Sequence, residues 1–285
     1  MNKVGIIYNA LIPEAKDLSA AILERLNLPA DSWIATADDE ATLLQQSKET
    51  DLVITVGGDG TILRVVRMTA PSGIPVVGIN MGRLGFMTEL RAEEAMEKLP
   101  LYMTGECRVE ARNMIQARVV KGSGGEVNGP YHALNDVVMA RGAVSRVVTI
   151  ACTIDEAKLT TFRADAVIVS TATGSTGYNL AVGGPILDPQ SDDLVLKPVA
   201  AHIGLSAGIV LSGSTKVALT LERTQPATLS IDGHLDYPLV PGDRVELEQS
   251  PMKAKFLRAN PVNYFYGTLT QRLGFGVEQA RAVRF

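Results

Sequence analysis

The chain of 285 residues has little of what would commit it to several chemistries. Cys107 and Cys152 are its 2 cysteines. Two thiols so far apart make neither a disulfide framework nor a zinc knuckle, and they suit a reducing compartment. There is no basic surplus: 27 Lys+Arg stand against 31 Asp+Glu, a net charge of -4. That excludes a dedicated nucleic-acid coat, which needs excess positive charge to neutralise phosphates, while local sites for a few phosphates remain open. No run reaches the ~20 apolar residues of a membrane-spanning helix. The opening Met1-Asn2-Lys3-Val4-Gly5-Ile6-Ile7-Tyr8 has one lysine and a very short apolar run, and reads as a first strand rather than a signal peptide. The expectation is a soluble cytoplasmic protein with no nucleic-acid or membrane partner. Repeats and low-complexity stretches are missing, as are the P-loop Gly-Lys-Ser/Thr and the Gly-x-Gly-x-x-Gly fingerprint.

What is present is enough apolar sequence, 46%, for a sizeable core. Up to about Tyr102, strands alternate with helices. Val4–Tyr8, Trp33–Thr36, Leu52–Val56 and Ile74–Ile79 read as strands. Pro13 opens a helix on which Ala15, Leu18, Ile22 and Leu26 share a face, and Asp38–Ser47, a run ending at Thr69 and Ala92–Leu99 are further helices. The alternation predicts a parallel sheet covered on both faces. After Gly105 the helical period fades into short β-branched runs at Val109–Val120, Tyr131–Ala140, Arg146–Ile154, Ala166–Ser170, Lys216–Leu221, Ala227–Ile231 and Arg244–Gln249. The expected organisation is a Rossmann-like α/β domain over 1–104, an all-β sandwich-like domain over 105–260, and a tail over 261–285 that packs back on the first domain.

Three constellations carry the chemistry. Gly57-Gly58-Asp59-Gly60-Thr61 follows an apolar strand and opens a helix, where ligands sit in open α/β sheets. Glycines admit phosphate oxygens to the backbone, and a helix start offers unpaired N–H groups. An aspartate there would repel a bare phosphate; it fits a hydroxyl awaiting phosphorylation, or Mg²⁺ between anions. The plainer reading is a strand-to-helix turn with Asp59 as a local cap. The second is Ser170-Thr171-Ala172-Thr173-Gly174-Ser175-Thr176-Gly177-Tyr178-Asn179, between Arg163 and Asp165 on one side and Gly183-Gly184-Pro185-Ile186 on the other. Its hydroxyls read as neutral donors around a polar ligand and Tyr178 as a face for a stacked base; a mobile surface loop is the alternative. The third, Asn135-Asp136, offers an amide and a carboxylate to a ribose diol or an exocyclic amine, or is a turn pair.

Taken in chain order, Gly57–Thr61, then Asn80-Met81-Gly82-Arg83-Leu84-Gly85-Phe86, then Asn135-Asp136, then the hydroxyl-rich loop ending in Gly183-Gly184-Pro185-Ile186, the motifs resemble the ATP-dependent NAD kinases. The resemblance runs from Val53 to about His234, with an echo at Leu273-Gly274-Phe275. It implies an α/β and an all-β domain with the active site between them, in a homotetramer or homodimer. The implied reaction moves the γ-phosphoryl of ATP, or of polyphosphate, to the 2′-hydroxyl of the adenosine ribose of NAD⁺. On the matching positions, Asp59 is the catalytic proton acceptor. Gly60 and its neighbours Gly57, Gly58 and Thr61 border the phosphates, Arg64 reaches an anionic oxygen, and Asn80 is a further cofactor-binding residue. Asn135 and Asp136 hold NAD, with Arg146, Arg163 and Asp165 lining the dinucleotide. Thr176, Gly177, Tyr178, Asn179, Leu180 and Ala181 surround the bases, with Ala200 and His234 as further contacts; His202 matches a recurring Pro-x-x-x-His element and reads as structural. Mg²⁺ is expected between the ATP phosphates, held by them and by water, with no protein metal ligand. Three positions depart from the family: Asp136 for the usual Glu, Ala172 for Pro, and Gly177 for Ala. The alternatives are an NADH-preferring kinase, and a lipid or sphingoid-base kinase that shares Gly-Gly-Asp-Gly.

Overall fold

The computed structural model describes residues 3–82, 84–142, 147–201, 205–222 and 225–274. The chain forms two compact units: Met1–Ala111 together with the stretch that begins at Ala254, and Arg112–Lys253.

In the first unit, β1 (Val4–Tyr8), α1 (Pro13–Arg25), β2 (Trp33–Thr36), α2 (Glu40–Ser47), β3 (Leu52–Gly57), α3 (Asp59–Thr69), β4 (Val76–Asn80), β5 (Leu90–Arg91) and α4 (Ala92–Thr104) follow in order. The strands pair in parallel as β2-β1-β3-β4, with Val4 opposite Leu52 and Val53 opposite Val76. β3 is buried along its whole length, as a strand covered on both faces must be, which is why it reads as one unbroken apolar run. Ile6, Ile54, Val56, Ile79 and Tyr102 form the centre of this core. Gly78 lets α3 come close: a Cβ there would stand 2.6 Å from Ile62 Cδ1. Helix α2 is capped by Asp39, whose side chain accepts from Thr42 N at 3.1 Å. Helix α4 runs past Leu99 to Thr104 with Pro100 inside it, because the turn beyond the proline buries Tyr102 completely before Gly105, at φ 84°, ends it.

The second unit holds β6 (Arg108–Val120), β7 (Val127–Ala133), β8 (Asp136–Arg141), β9 (Val148–Ile154), β10 (Ala157–Ala164), β11 (Ala166–Thr171), α5 (Tyr178–Ala181), β12 (Leu194–Val199), β13 (Ile209–Leu211), β14 (Val217–Glu222), β15 (Ala227–Ile231), β16 (Leu235–Leu239) and β17 (Arg244–Arg258). Strands β6 and β17 begin or end in the first unit, where α6 (Tyr264–Arg272) follows. One antiparallel sheet has the order β13-β12-β11-β8-β15-β16; β10, β9, β14 and β17 follow one another in the other, where β6 pairs with β17 and β7 with β6. Their inner faces, among them Val137, Val169, Leu229, Ile150, Phe162 and Leu219, share one core, so this unit is a sandwich. The alternation in β15, with Ala227, Leu229 and Ile231 buried and the residues between half-buried, is the signature of such a strand.

The sequence reading differs from the structure in detail. Tyr131–Ala140 is two strands, β7 and β8, broken at Leu134-Asn135. Strands β10, β13 and β16 lie at sheet edges and are short or polar, so their pattern is faint. Pro198 obscures β12, where it pairs opposite Val167. Among the described residues, no helix is long and apolar enough to cross a membrane.

Candidate active site

Strand β3 delivers the chain to Gly58, which is extended at φ -113° and caps α3, so Asp59 is the first residue of the helix. The three glycines of this turn serve different ends. A Cβ on Gly57 would run into the Thr61 hydroxyl, so that glycine is demanded by packing. A Cβ on Gly58 or Gly60 would meet nothing within 4 Å, and neither has a left-handed φ. The fold does not need glycine there, and its effect is to leave bare backbone beside Asp59.

The Asp59 carboxylate is held by main-chain amides from 27 residues or more further on. Oδ2 accepts from Phe86 N at 2.7 Å, and Oδ1 from Met87 N at 3.0 Å and Thr88 N at 3.3 Å. Gly85 makes room, since a Cβ there would stand 2.7 Å from Asp59 Cγ. The side chain is half-buried, and among the described residues Oδ2 accepts one hydrogen bond, from Phe86 N. Asp59 is thus tied to a remote loop rather than capping its own helix. Phe86 is flanked by the Phe265 ring at 6.4 Å and the Arg272 guanidinium at 5.8 Å. Asn80, at the end of β4, donates to Gly82 O at 2.8 Å. It borders a pocket of about 330 Å³ with Met81, Gly82, Leu84, Arg91 and Gln271. Arg64, one turn into α3, is ion-paired with Asp38.

In the second unit Asn135 lies in the break between β7 and β8, and Asp136 opens β8. The cause of the break is Asp232, whose carboxylate accepts from Leu134 N at 2.8 Å, Asn135 N at 2.7 Å and Asp136 N at 3.1 Å. Asp232 and Gly233, at φ 51° and 68°, make the tight turn between β15 and β16. Sequence reasoning passed over Asp232; its signal was Asp-Gly, the strongest short hairpin marker. Asp136 is buried, and its carboxyl is pushed up to about 7, first by loss of solvent and then by the negative charge of Asp232.

The hydroxyl-rich loop docks on the same break. Thr171 Oγ1 donates to Leu134 O at 2.5 Å, and Gly174 is indispensable because a Cβ would collide with the Asn135 carbonyl. Ser175 donates to Ala172 O at 2.6 Å and Thr176 to Thr173 O at 3.1 Å, so these hydroxyl protons are used inside the loop rather than offered to a ligand. Ser170, Thr171, Thr173, Ser175 and Asn179 are all buried, against the reading of a mobile surface loop. The unspent groups are two amide oxygens and one hydroxyl: among the described residues, Asn135 Oδ1, Asn179 Oδ1 and Thr173 Oγ1 are buried with no hydrogen-bond partner. Such groups gather where a ligand completes a site. Gly177 faces Asn135, its Cβ position 3.5 Å from Nδ2. Tyr178 is exposed, as are Arg163, Ala200 and His234, while Leu180 and Ala181 belong to the short α5. Asp165 pairs with Arg141 at 3.3 Å. Arg146 and His202 lie outside the described residues, as do Arg83 and Phe275 of the quoted motifs. A further pocket of about 260 Å³ is lined by Arg118, Lys216, Arg244, Asp155, Glu246 and Glu248, and contains none of the expected site residues.

The model of the ATP-NAD kinase N-terminal domain matches residues 14–107, and that of the C-terminal domain residues 134–259. The NAD kinase of Dehalococcoides mccartyi (strain CBDB1) is 39% identical over 272 residues, 95% of both chains. That of Chloroflexus aggregans is 38% identical over 274 residues, covering 96% of this chain and 99% of its own. Among solved structures, yeast NADH kinase complexed with NADH superposes with a TM-score of 0.83 at 22% identity, over 97% of this chain and 89% of its own. An NAD kinase from Archaeoglobus fulgidus in complex with ATP gives 0.77 at 23%, over 96% and 100%. These two structures share the fold; the sequence matches, extending over nearly the whole chain, settle the relationship. The chain belongs to the ATP-NAD kinase family.

Proposed function

We propose that the chain is an NAD kinase that transfers the γ-phosphoryl of ATP to the 2′-hydroxyl of the adenosine ribose of NAD⁺, giving NADP⁺ and ADP. The observation that carries this reading is the Asp59 seat: a carboxylate fixed by three amides at the start of α3, beside glycine backbone that no packing demand explains. Phosphoryl transfer has a loose transition state, so catalysis rests on placing the acceptor and neutralising charge. Aspartate is a weak base for a ribose hydroxyl. Asp59 therefore orients the 2′-hydroxyl through Oδ2 and accepts its proton late, as the new P–O bond forms.

Asn135 and Asp136 hold NAD⁺, and Tyr178 offers its ring to a base. With its carboxyl near neutrality, Asp136 can donate as well as accept a hydrogen bond. ATP enters with Mg²⁺, which neutralises the phosphates and is held by them and by water. Among the described residues, no three His, Cys, Asp or Glu side chains gather to hold a metal ion. Arg64 reaches an anionic oxygen by exchanging Asp38 for phosphate. A homotetramer or homodimer in the cytoplasm completes the proposal, and light scattering counts the subunits.

The test is incubation with MgATP and NAD⁺, reading NADP⁺ with an NADP-specific dehydrogenase. Polyphosphate and NADH run in parallel as donor and acceptor. Asp59→Asn is expected to lose at least about two orders of magnitude in turnover with NAD⁺ binding kept by calorimetry. Full activity in that variant would sink the assignment of Asp59.

A further inference from the structure

Behind the loop that holds Asp59 lies a buried ionic cluster that the proposed reaction does not use. The Arg258 side chain is 5% exposed, with Glu89 at 3% and Glu110 at 6%. Its guanidinium serves three acceptors: Nε donates to Glu110 Oε1 at 3.2 Å, and Nη1 to Glu89 Oε2 at 3.2 Å and to the Met87 carbonyl at 2.9 Å. The carboxylates are fixed in turn. Glu89 Oε1 accepts from Ala259 N, Asn260 N and Asn260 Nδ2, each at 3.0 Å, and from Tyr102 at 3.3 Å. The amide of Glu89 is bonded to Gly78 O in the sheet at 2.8 Å. Glu110 Oε2 pairs with Arg108 at 3.0 Å.

One peptide unit joins this cluster to Asp59. The carbonyl of Met87 and the N–H of Thr88 belong to the same planar group, in which they point in opposite directions. Arg258 grips the carbonyl, and the N–H donates to Asp59 Oδ1. A cation on the oxygen also polarises the peptide and strengthens its N–H as a donor. We propose that Arg258 is a positioning residue for Asp59, acting through the Met87–Thr88 peptide. The proposal rests on the reading of Asp59 as the reacting carboxylate. The cluster sets where the loop lies, the loop sets where the carboxylate lies, and Gly85 leaves it room. Only a guanidinium fits this post: a lysine has a single nitrogen and cannot present a fork to two carboxylates and a carbonyl.

The experiment is Arg258→Lys on the full chain, with kcat, the KM for NAD⁺ and for ATP, and the thermal melt measured together. The expected result is a cooperative melt and a kcat lowered roughly ten- to a hundredfold, the scale of a small misplacement of a reacting group. Both KM values stay within about twofold, because binding is not the step affected. The same change is then made in Asp59→Asn, with the residual rate followed by radiolabelled ATP. There it has little effect, since the group it positions is already lost. An unchanged kcat, equal loss factors in the two backgrounds, or kcat and KM failing together each overturns the proposal. If Arg258→Lys does not fold, Glu110→Gln takes its place, with a smaller loss of kcat in the same direction; a folded Glu110→Gln with wild-type kcat is equally decisive against it. Full turnover in Asp59→Asn alone removes the role of Asp59 itself, and is distinguished from the failure of Arg258 by that single variant.

Discussion

The two units use one device for two purposes. In the α/β unit, Asp59 accepts from the amides of residues 86–88; in the sandwich, Asp232 accepts from those of 134–136. Each is a carboxylate laid across a run of three main-chain donors, a strong and directional arrangement because the acceptor is charged. The difference lies in which party is the working one. Asp59 is the group being placed, and the loop is its holder. Asp232 is the holder, and what it places is the backbone of Leu134-Asn135, the break between β7 and β8, and of Asp136, which opens β8 opposite Ser170. The same bonds thus fix a side chain in one unit and a stretch of backbone in the other.

This contrast can be broken by substitution, and the largest effect is expected in the sandwich. Asp232→Ala leaves three amides without their acceptor and should cost about 3 kcal/mol in urea unfolding, the scale of orphaned buried donors. If the loss is negligible, Asp232 is not what bends the chain at Asn135. Next is Asp136→Asn, where the sign follows from the proton count. The carboxyl is raised to about 7 in the fold from an ordinary 3.8, so the folded state binds more protons between those values and stability falls as pH rises through them. The variant should abolish this decline and melt higher than wild type at pH 8, with little difference at pH 4. Parallel melting curves for the two proteins across that range would refute it. Gly85→Ala pushes directly on the Asp59 carboxylate and should lower kcat roughly tenfold with the fold intact. The smallest effect is at Tyr178, where removal of the exposed ring by Tyr178→Ala should weaken NAD⁺ binding by about 1 kcal/mol, read by calorimetry.

How much of this was written in the sequence depends on whether the signal is local. Strand β3, the glycine turn and α3 were legible because an apolar run, a glycine cluster and a helical period sit side by side. The alternation of strands and helices, and its loss after Gly105, gave the fold class. The holders of Asp59 were not legible, because every residue but proline has an amide N–H and nothing marks those of 86–88. Arg258 acts on Met87 and Glu89 from 169 residues away or more, and no spacing rule reaches so far. The Asp-Gly pair at 232–233 announced a turn without announcing what the aspartate would hold. The hydroxyls of 170–176 misled in an instructive way: a list of donors does not say which way they point, and these point mostly inward.

The seat of Asp59 has a consequence for how the protein tolerates change. Its donors are main-chain groups, so no ordinary side-chain replacement at Phe86, Met87 or Thr88 can delete them. A saturation library over these positions should accept apolar substitutes of similar volume at Met87, which is buried, and reject proline, the one residue without an N–H to give. The vulnerability is displaced to neighbours that seem unrelated to the carboxylate, such as the missing methyl at 85. Random mutagenesis would therefore map this part of the machinery as a gap flanked by sensitive positions.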